Sequence, residues 1–164
     1  METTPPEPLG FRSRRHPSSI LEAVQDLWNS CPILLEHFPG GLFVSEVPER
    51  LDGEELVIPY AYVNKTQSDF TWTMTSQYME TCDLDFFLYA PGSEAVENCL
   101  KSIRGVYDWL DLRFSDNSSS VIYIRPDSED VNSESTRYKD GRLLYRGHIR
   151  YAVCVNRFTV NRRD

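Results

Sequence analysis

Between Tyr78 and Ala90 the string YMETCDLDFFLYA alternates with a period of two. In an extended chain Cys82, Leu84, Phe86 and Leu88 then point to one side, and Asp83, Asp85, Phe87 and Tyr89 to the other. The segment Leu143 to Phe158 repeats the pattern over a greater length. Tyr145, Ile149, Tyr151, Val153 and Val155 line one face, and Arg146, His148, Arg150, Ala152, Cys154 and Asn156 the other. Two strands with a dry side and a polar side require a sheet covered on one face.

Two amphipathic helices supply the cover. Ser19-Ile-Leu-Glu22 has the form of a capping box, in which hydroxyl and carboxylate satisfy exposed N–H groups reciprocally. Ile20, Leu21, Val24, Leu27, Trp28 and Cys31 follow as one apolar stripe at helical spacing. Pro32 interrupts it, Ile33 to Phe38 add a short helical turn, and Pro39-Gly40-Gly41 ends the helical region. The second helix follows Pro91-Gly92 with Ser93 as its cap, and carries Val96, Leu100, Ile103, Tyr107 and Leu110 on one side. Asp108, Asp111 and Asp116 mark its end and the next turn.

Shorter strands are predicted at Leu42–Val47, ended by Pro48, and at Val57–Asn64, where Pro59 favours an edge or the strand's entry. Asp52-Gly53 supplies a turn between them. Residues 65–77 read as a loop or loose hairpin tip, Val121–Arg125 as a short strand, and residues 126–141 as a long exposed acidic loop. The expected architecture is α+β: an antiparallel or mixed sheet with two amphipathic helices packed on one face. A chain of 164 residues suits one domain, set here at 18–158. It lies between an extended Pro/Arg-rich arm, residues 1–17, and a tail, residues 159–164.

Little points to chemistry. A net charge of −8 argues against sequence-reading nucleic-acid binding, which rests on Lys and Arg. Basic clusters do occur at Arg12, Arg14 and Arg15 and at Arg157, Arg162 and Arg163, as frayed termini or as arms for an acidic neighbouring subunit. No apolar run approaches the ~20 residues of a membrane span, and the N-terminus lacks the apolar stretch of a secretory signal. Cys31, Cys82, Cys99 and Cys154 show no metal spacing and read as reduced thiols. Asp83 and Asp85, two carboxylates about 7 Å apart on one strand face, have the form of a divalent-cation pair. A nuclease site would add a third acid and a nearby Lys at short spacing, and neither follows. His16, His37 and His148 stand in no catalytic motif, and no phosphate-binding or dinucleotide loop is present. No catalytic, cofactor or metal residue is therefore assigned. Phe87 and Tyr89 share the polar face with the two acids, which suggests contact with a neighbouring copy of the chain.

The order of elements resembles the tail-completion, or tail-terminator, proteins of phages with long non-contractile tails. The resemblance runs through the Ser19–Cys31 helix, Gly41-Leu-Phe-Val to Glu49, Ile58-Pro59-Tyr60, Leu84 to Tyr89, the Ser93–Leu110 helix, and Asp140-Gly141-Arg142 into Leu144-Tyr145-Arg146-Gly147 to Val155. It implies a structural, non-enzymatic subunit without cofactor. Such a subunit forms a homohexameric ring between the major tail-tube protein and the head–tail connector of a virion assembled in the host cytoplasm. DNA passes through the ring without sequence-specific binding, for which an acidic lumen is suited. The interface residues then expected are Asp83, Asp85, Phe87, Tyr89, Arg146, His148 and Arg150. Arg146, His148 and Arg150 of one copy would meet Asp83, Asp85 or the Asp127–Glu134 segment of the next. A head-closure or minor tail subunit, a small cellular adaptor or binding domain, and a metal enzyme at Asp83/Asp85 are the alternatives.

Overall fold

The computed structural model describes residues 20–44, 57–74, 77–113, 121–137 and 143–158. The 1–17 arm with its arginines and His16, Ser19, the Asp52-Gly53 turn, Asp116 and the 159–164 tail lie outside the described residues.

Helix α1 spans Ile20–Ser30, and α2, Pro32–His37, follows at once. Strands β1 (Leu42–Val44), β2 (Tyr60–Lys65), β3 (Asp69–Met74) and β4 (Gln77–Ala90) precede helix α3 (Ser93–Tyr107). Strands β5 (Leu110–Arg113), β6 (Val121–Arg137) and β7 (Leu143–Phe158) complete the fold. One sheet holds all seven strands in the order β1-β2-β4-β7-β6-β5, with β3 also paired to β4. β1 and β2 are parallel and the other pairs antiparallel, so the sheet is mixed, as the α+β expectation allowed.

The helices cover one face. Helix α1 lies over β1 and β2, and α3 over β4, β6 and β7. Leu84, Phe86 and Leu88 of β4 and Tyr151, Val153 and Val155 of β7 are buried beneath them, as the alternation predicts. Trp28 anchors α1, its ring 4.8 Å from that of Phe38 and 6.4 Å from that of Phe86. The Tyr107 hydroxyl ties α3 to α1 by donating to the Val24 carbonyl at 2.7 Å. Gly147 lets α3 approach the sheet closely: a Cβ there would lie 2.9 Å from Val96 Cγ1. At the end of α2, Gly41 takes φ +80°, a left-handed conformation that glycine adopts without penalty.

Four local expectations are corrected. Ser93 is the first helical residue rather than the cap; Gly92, extended, holds that place and offers no side-chain bond. Leu110 does not continue α3. The Asp108 N–H bonds back to the Arg104 carbonyl, Trp109 turns at φ 58°, and Leu110 enters β5 opposite Ile124. It nonetheless packs on the core, which is why its spacing fitted the helical stripe. Residues 69–74, read as part of a loop or loose hairpin tip, form a full strand paired antiparallel along the first half of β4. The supposed loop beginning at Pro126 is the second half of β6, held to Arg137 by pairing with β7 across two register shifts.

Candidate functional site

Helices pack on one side of the sheet; among the described residues no helix covers the opposite face of β2, β4 and β7, where Tyr60 and Asp85 are buried and Tyr62, Phe87, Tyr89, Arg146, His148 and Arg150 half-buried. Parity alone puts Tyr60, Tyr62 and Asn64 of β2 on that face, because Ala61 and Val63 between them are buried in the core. Strand register then aligns three rows: Tyr60, Tyr89, Arg146; Tyr62, Phe87, His148; and Asn64, Asp85, Arg150. All seven residues expected at an interface from sequence thus stand on one surface, with Asp83 in the next row opposite Ala152.

The middle row is a continuous stack. The Tyr62 ring lies 4.8 Å from Phe87 at 19°, and Phe87 lies 4.6 Å from the His148 imidazole at 16°. Arg146 covers the same phenyl ring, its guanidinium carbon 4.4 Å from the centroid, a cation–π contact. In the row above, Tyr60 stacks on Tyr89 at 5.2 Å. Burial, and then the neighbouring Tyr89, raise the Tyr62 phenol above its ordinary range, so it stays neutral and donating at physiological pH.

Asp85 ties the rows together. Its Oδ1 accepts from His148 Nε2 at 2.7 Å and from Arg150 Nε at 2.8 Å, and its Oδ2 accepts from Arg150 Nη2 at 3.2 Å. Burial alone would raise this carboxyl. The hydrogen bonds and charges of Arg150 and His148 outweigh it and hold the group below the usual carboxylate range. Arg150 shifts upward in turn, through its bond to the same carboxylate. Asp85 and Arg150, among the charges expected to meet between copies, therefore pair within one chain, because register sets them side by side.

That arrangement also decides how Asp83 and Asp85 behave as a pair. Both Asp85 oxygens are occupied by cationic donors, while Asp83 accepts none of those bonds; its backbone N–H donates to Thr66 Oγ1 at 2.8 Å. Among the described residues no three His, Cys, Asp or Glu side chains are placed to hold a metal ion. A hollow of about 530 Å³ opens on the helical side between α2 and α3, near Pro59, Cys99 and Lys101. Inside it His37 Nδ1 contacts Ser102 Oγ, which also lies 3.0 Å from the Asn98 carbonyl oxygen. Among the described residues no helix is long and apolar enough to cross a membrane.

Tyr60 and Tyr62 are the site residues that sequence reasoning missed. The signal was available: Tyr, Tyr and Asn alternate with Ala and Val from residue 60 to residue 64.

The sequence matches no family profile and no curated protein. Its fold does match a solved structure. A chain of the virion of a native gene transfer agent particle superposes with a TM-score of 0.58 at 11% identity, covering 85% of this chain and 96% of that one. The two chains share a fold over nearly the whole length of the virion chain.

Proposed function

We propose that this chain is a structural subunit of a phage or prophage tail, one that forms a ring terminating the tail tube and joins it to the head connector. In this reading it does its work by binding rather than by turning over a substrate. The observation that carries the proposal is the sheet face opposite the helices: a band of stacked rings and satisfied charges over which no helix lies among the described residues, on a fold shared with a virion chain. Aromatic rings and arginine are enriched at protein–protein interfaces, and Tyr, Phe and Arg dominate this surface.

Asp85 is already satisfied by its own His148 and Arg150, so it has little to offer the charges of another copy. We therefore assign the face to the adjoining tail component, with Tyr62, Phe87, Tyr89 and Arg146 as its contact band. The partners are the major tail-tube protein on one side and the head–tail connector on the other, at the head–tail junction of the virion. Further copies of the chain, six in all, close the ring. Net charge −8 suits a lumen through which DNA slides without sticking.

Co-expression with the neighbouring tail-tube protein tests the face. The unaltered chain is expected to co-purify, and Tyr89→Glu to co-purify at least tenfold less, since a charge is then buried in an apolar contact. Equal recovery of both would remove the face from the interface.

A further inference from the structure

Trp109 stands at the turn from α3 into β5, 69% exposed, with its backbone at φ 58°. It follows the helix cap Asp108, a place where glycine takes the left-handed conformation without strain. A bulky residue there bears a backbone penalty and shows a large apolar ring to solvent, so neither backbone preference nor burial accounts for it. The indole is nonetheless held. The Arg125 guanidinium carbon lies 5.5 Å from its centroid and 5.5 Å from that of Tyr123. Arg125 in turn donates to Asp111 Oδ1 at 2.8 Å and to the Leu110 and Ile124 carbonyls at 3.2 and 2.9 Å, which draws its charge toward β5. Trp, Tyr and Arg are the residues that dominate binding energy at protein interfaces.

Beside this cluster, on the sheet face opposite the helices, lies a hollow of about 320 Å³. Ala152 and Cys154 of β7 floor it, with Tyr123 and Arg125 on one side and Asp83 and Asp69 on the other. Among the described residues neither carboxylate is paired with a cation. Register gives the dimension. Asp83, Ala152 and Arg125 are partners across β4, β7 and β6, and Trp109, next to the Leu110–Ile124 pair, heads β5 at the same level. Three strand spacings, about 14 Å, separate Asp83 from Trp109. The 1–17 arm carries Pro5-Pro6-Glu7-Pro8, followed by Arg12, Arg14 and Arg15. Prolines at this spacing dock on aromatic rings. The four residues from Pro8 to Arg12, extended, cover about 12–14 Å. A proline on Trp109 thus sets an arginine at Asp83.

We propose that the 1–17 arm of one copy lies across this face of the next, with Pro8 on Trp109 and Arg12 in the hollow beside Asp83. The inference rests on the ring reading and names its joint, leaving the Tyr62, Phe87 and Tyr89 band farther along the face for the axial partner. The arm leads into α1 on the helical side of the sheet, and the hollow opens on the other side. A chain's own Arg12 would have to round a sheet edge in the eight residues before Ile20. Such a joint is heterologous, since it uses two different surfaces of the same chain.

A benzophenone side chain in place of Phe11 tests it, in full-length protein assembled from light- and heavy-nitrogen copies in equal amounts. After irradiation, mass spectrometry is expected to find the arm joined to peptides holding Tyr123 or Ala152–Cys154, in mixed-isotope pairs. Cross-links in single-isotope pairs only, or to other parts of the chain, would overturn the seat. Closed rings without the cross-link would overturn the seat and leave the ring standing. The cross-link in open filaments would support the seat and overturn the ring, and neither cross-link nor assembly would overturn both. Trp109→Gly separates recognition from folding: it relieves the backbone, so Tm should not fall, while the cross-link yield drops roughly fivefold or more. Asp83→Lys, which opposes the incoming arginine, should lower the yield to a similar degree. Unchanged yield in either variant would overturn the proposal.

Discussion

Replacing Gly147 by alanine should destabilise the protein even though the new side chain is a single methyl. Gly147 sits in β7 directly beneath α3, and an added Cβ would lie 2.9 Å from Val96 Cγ1, 3.1 Å from Leu88 Cγ and 3.2 Å from Leu100 Cδ2. Ordinary carbon contacts are about 3.5–4.0 Å, so three neighbours must retreat together or the helix must lift. Overpacking of this kind costs about 1–3 kcal/mol. Against it stands the reduced entropy of the unfolded chain, worth about 0.4–1 kcal/mol. The net loss is about 1–2 kcal/mol, a fall in Tm of roughly 2–8 °C for a domain of this length. Gly105→Ala is the matched control. It lies on the exposed side of α3 with nothing within 4 Å of its Cβ, so the helix gains about 0.8–1 kcal/mol and Tm should rise. Thermal unfolding followed by circular dichroism reads both. If Gly147→Ala matched or exceeded the Tm of the unaltered protein, the close approach of α3 to β7 would be wrong.

Asp85→Ala should cost about 1–2 kcal/mol by urea denaturation, since a buried acceptor of three charged hydrogen bonds is lost while Arg150 keeps partial access to water. Because the folded Asp85 carboxyl titrates below its usual range, its contribution is complete above about pH 4, the ordinary carboxylate value, and disappears as pH falls through the folded value. The urea midpoint of the unaltered protein should therefore drop more steeply in acid than that of Asp85→Asn; parallel profiles would contradict the shift. Tyr107→Phe should lose about 0.5–1.5 kcal/mol, the net worth of its bond to the Val24 carbonyl, in the same denaturation assay. Cys82 and Cys99, pushed up to about 11 by burial, should resist iodoacetamide at pH 8 in the folded state and react promptly in urea, as mass spectrometry would show.

What the sequence disclosed followed from local periodicity. β7 was legible to its end residues, and β4 to within one, because each buries every second side chain under the helices. Helices α1 and α3 were legible for the same reason at a different period. The second half of β6 was not: the string PDSEDVNSESTR contains no apolar row that could announce a strand, and its extended form comes from pairing with β7. β3 escaped because Thr and Ser dominate its surroundings, although Phe70 and Trp72 already carried the period of two. At the candidate site, parity placed Asp85, Phe87, His148 and Arg150 on one face. Only the β4·β7 register, a contact between residues more than sixty positions apart, could reveal that they bond to one another. Asp85 and Arg150, two of the charges read from sequence as links between copies, are thus paired within one chain.

Negative-stain microscopy of the purified full-length protein, with its mass in solution measured by light scattering across concentration, addresses the assembly reading directly. The account predicts closed rings of uniform diameter whose mass is a whole multiple of one chain, six being the expected number. Compact single chains at every concentration, or two-fold pairs packed through their sheet faces, would contradict it.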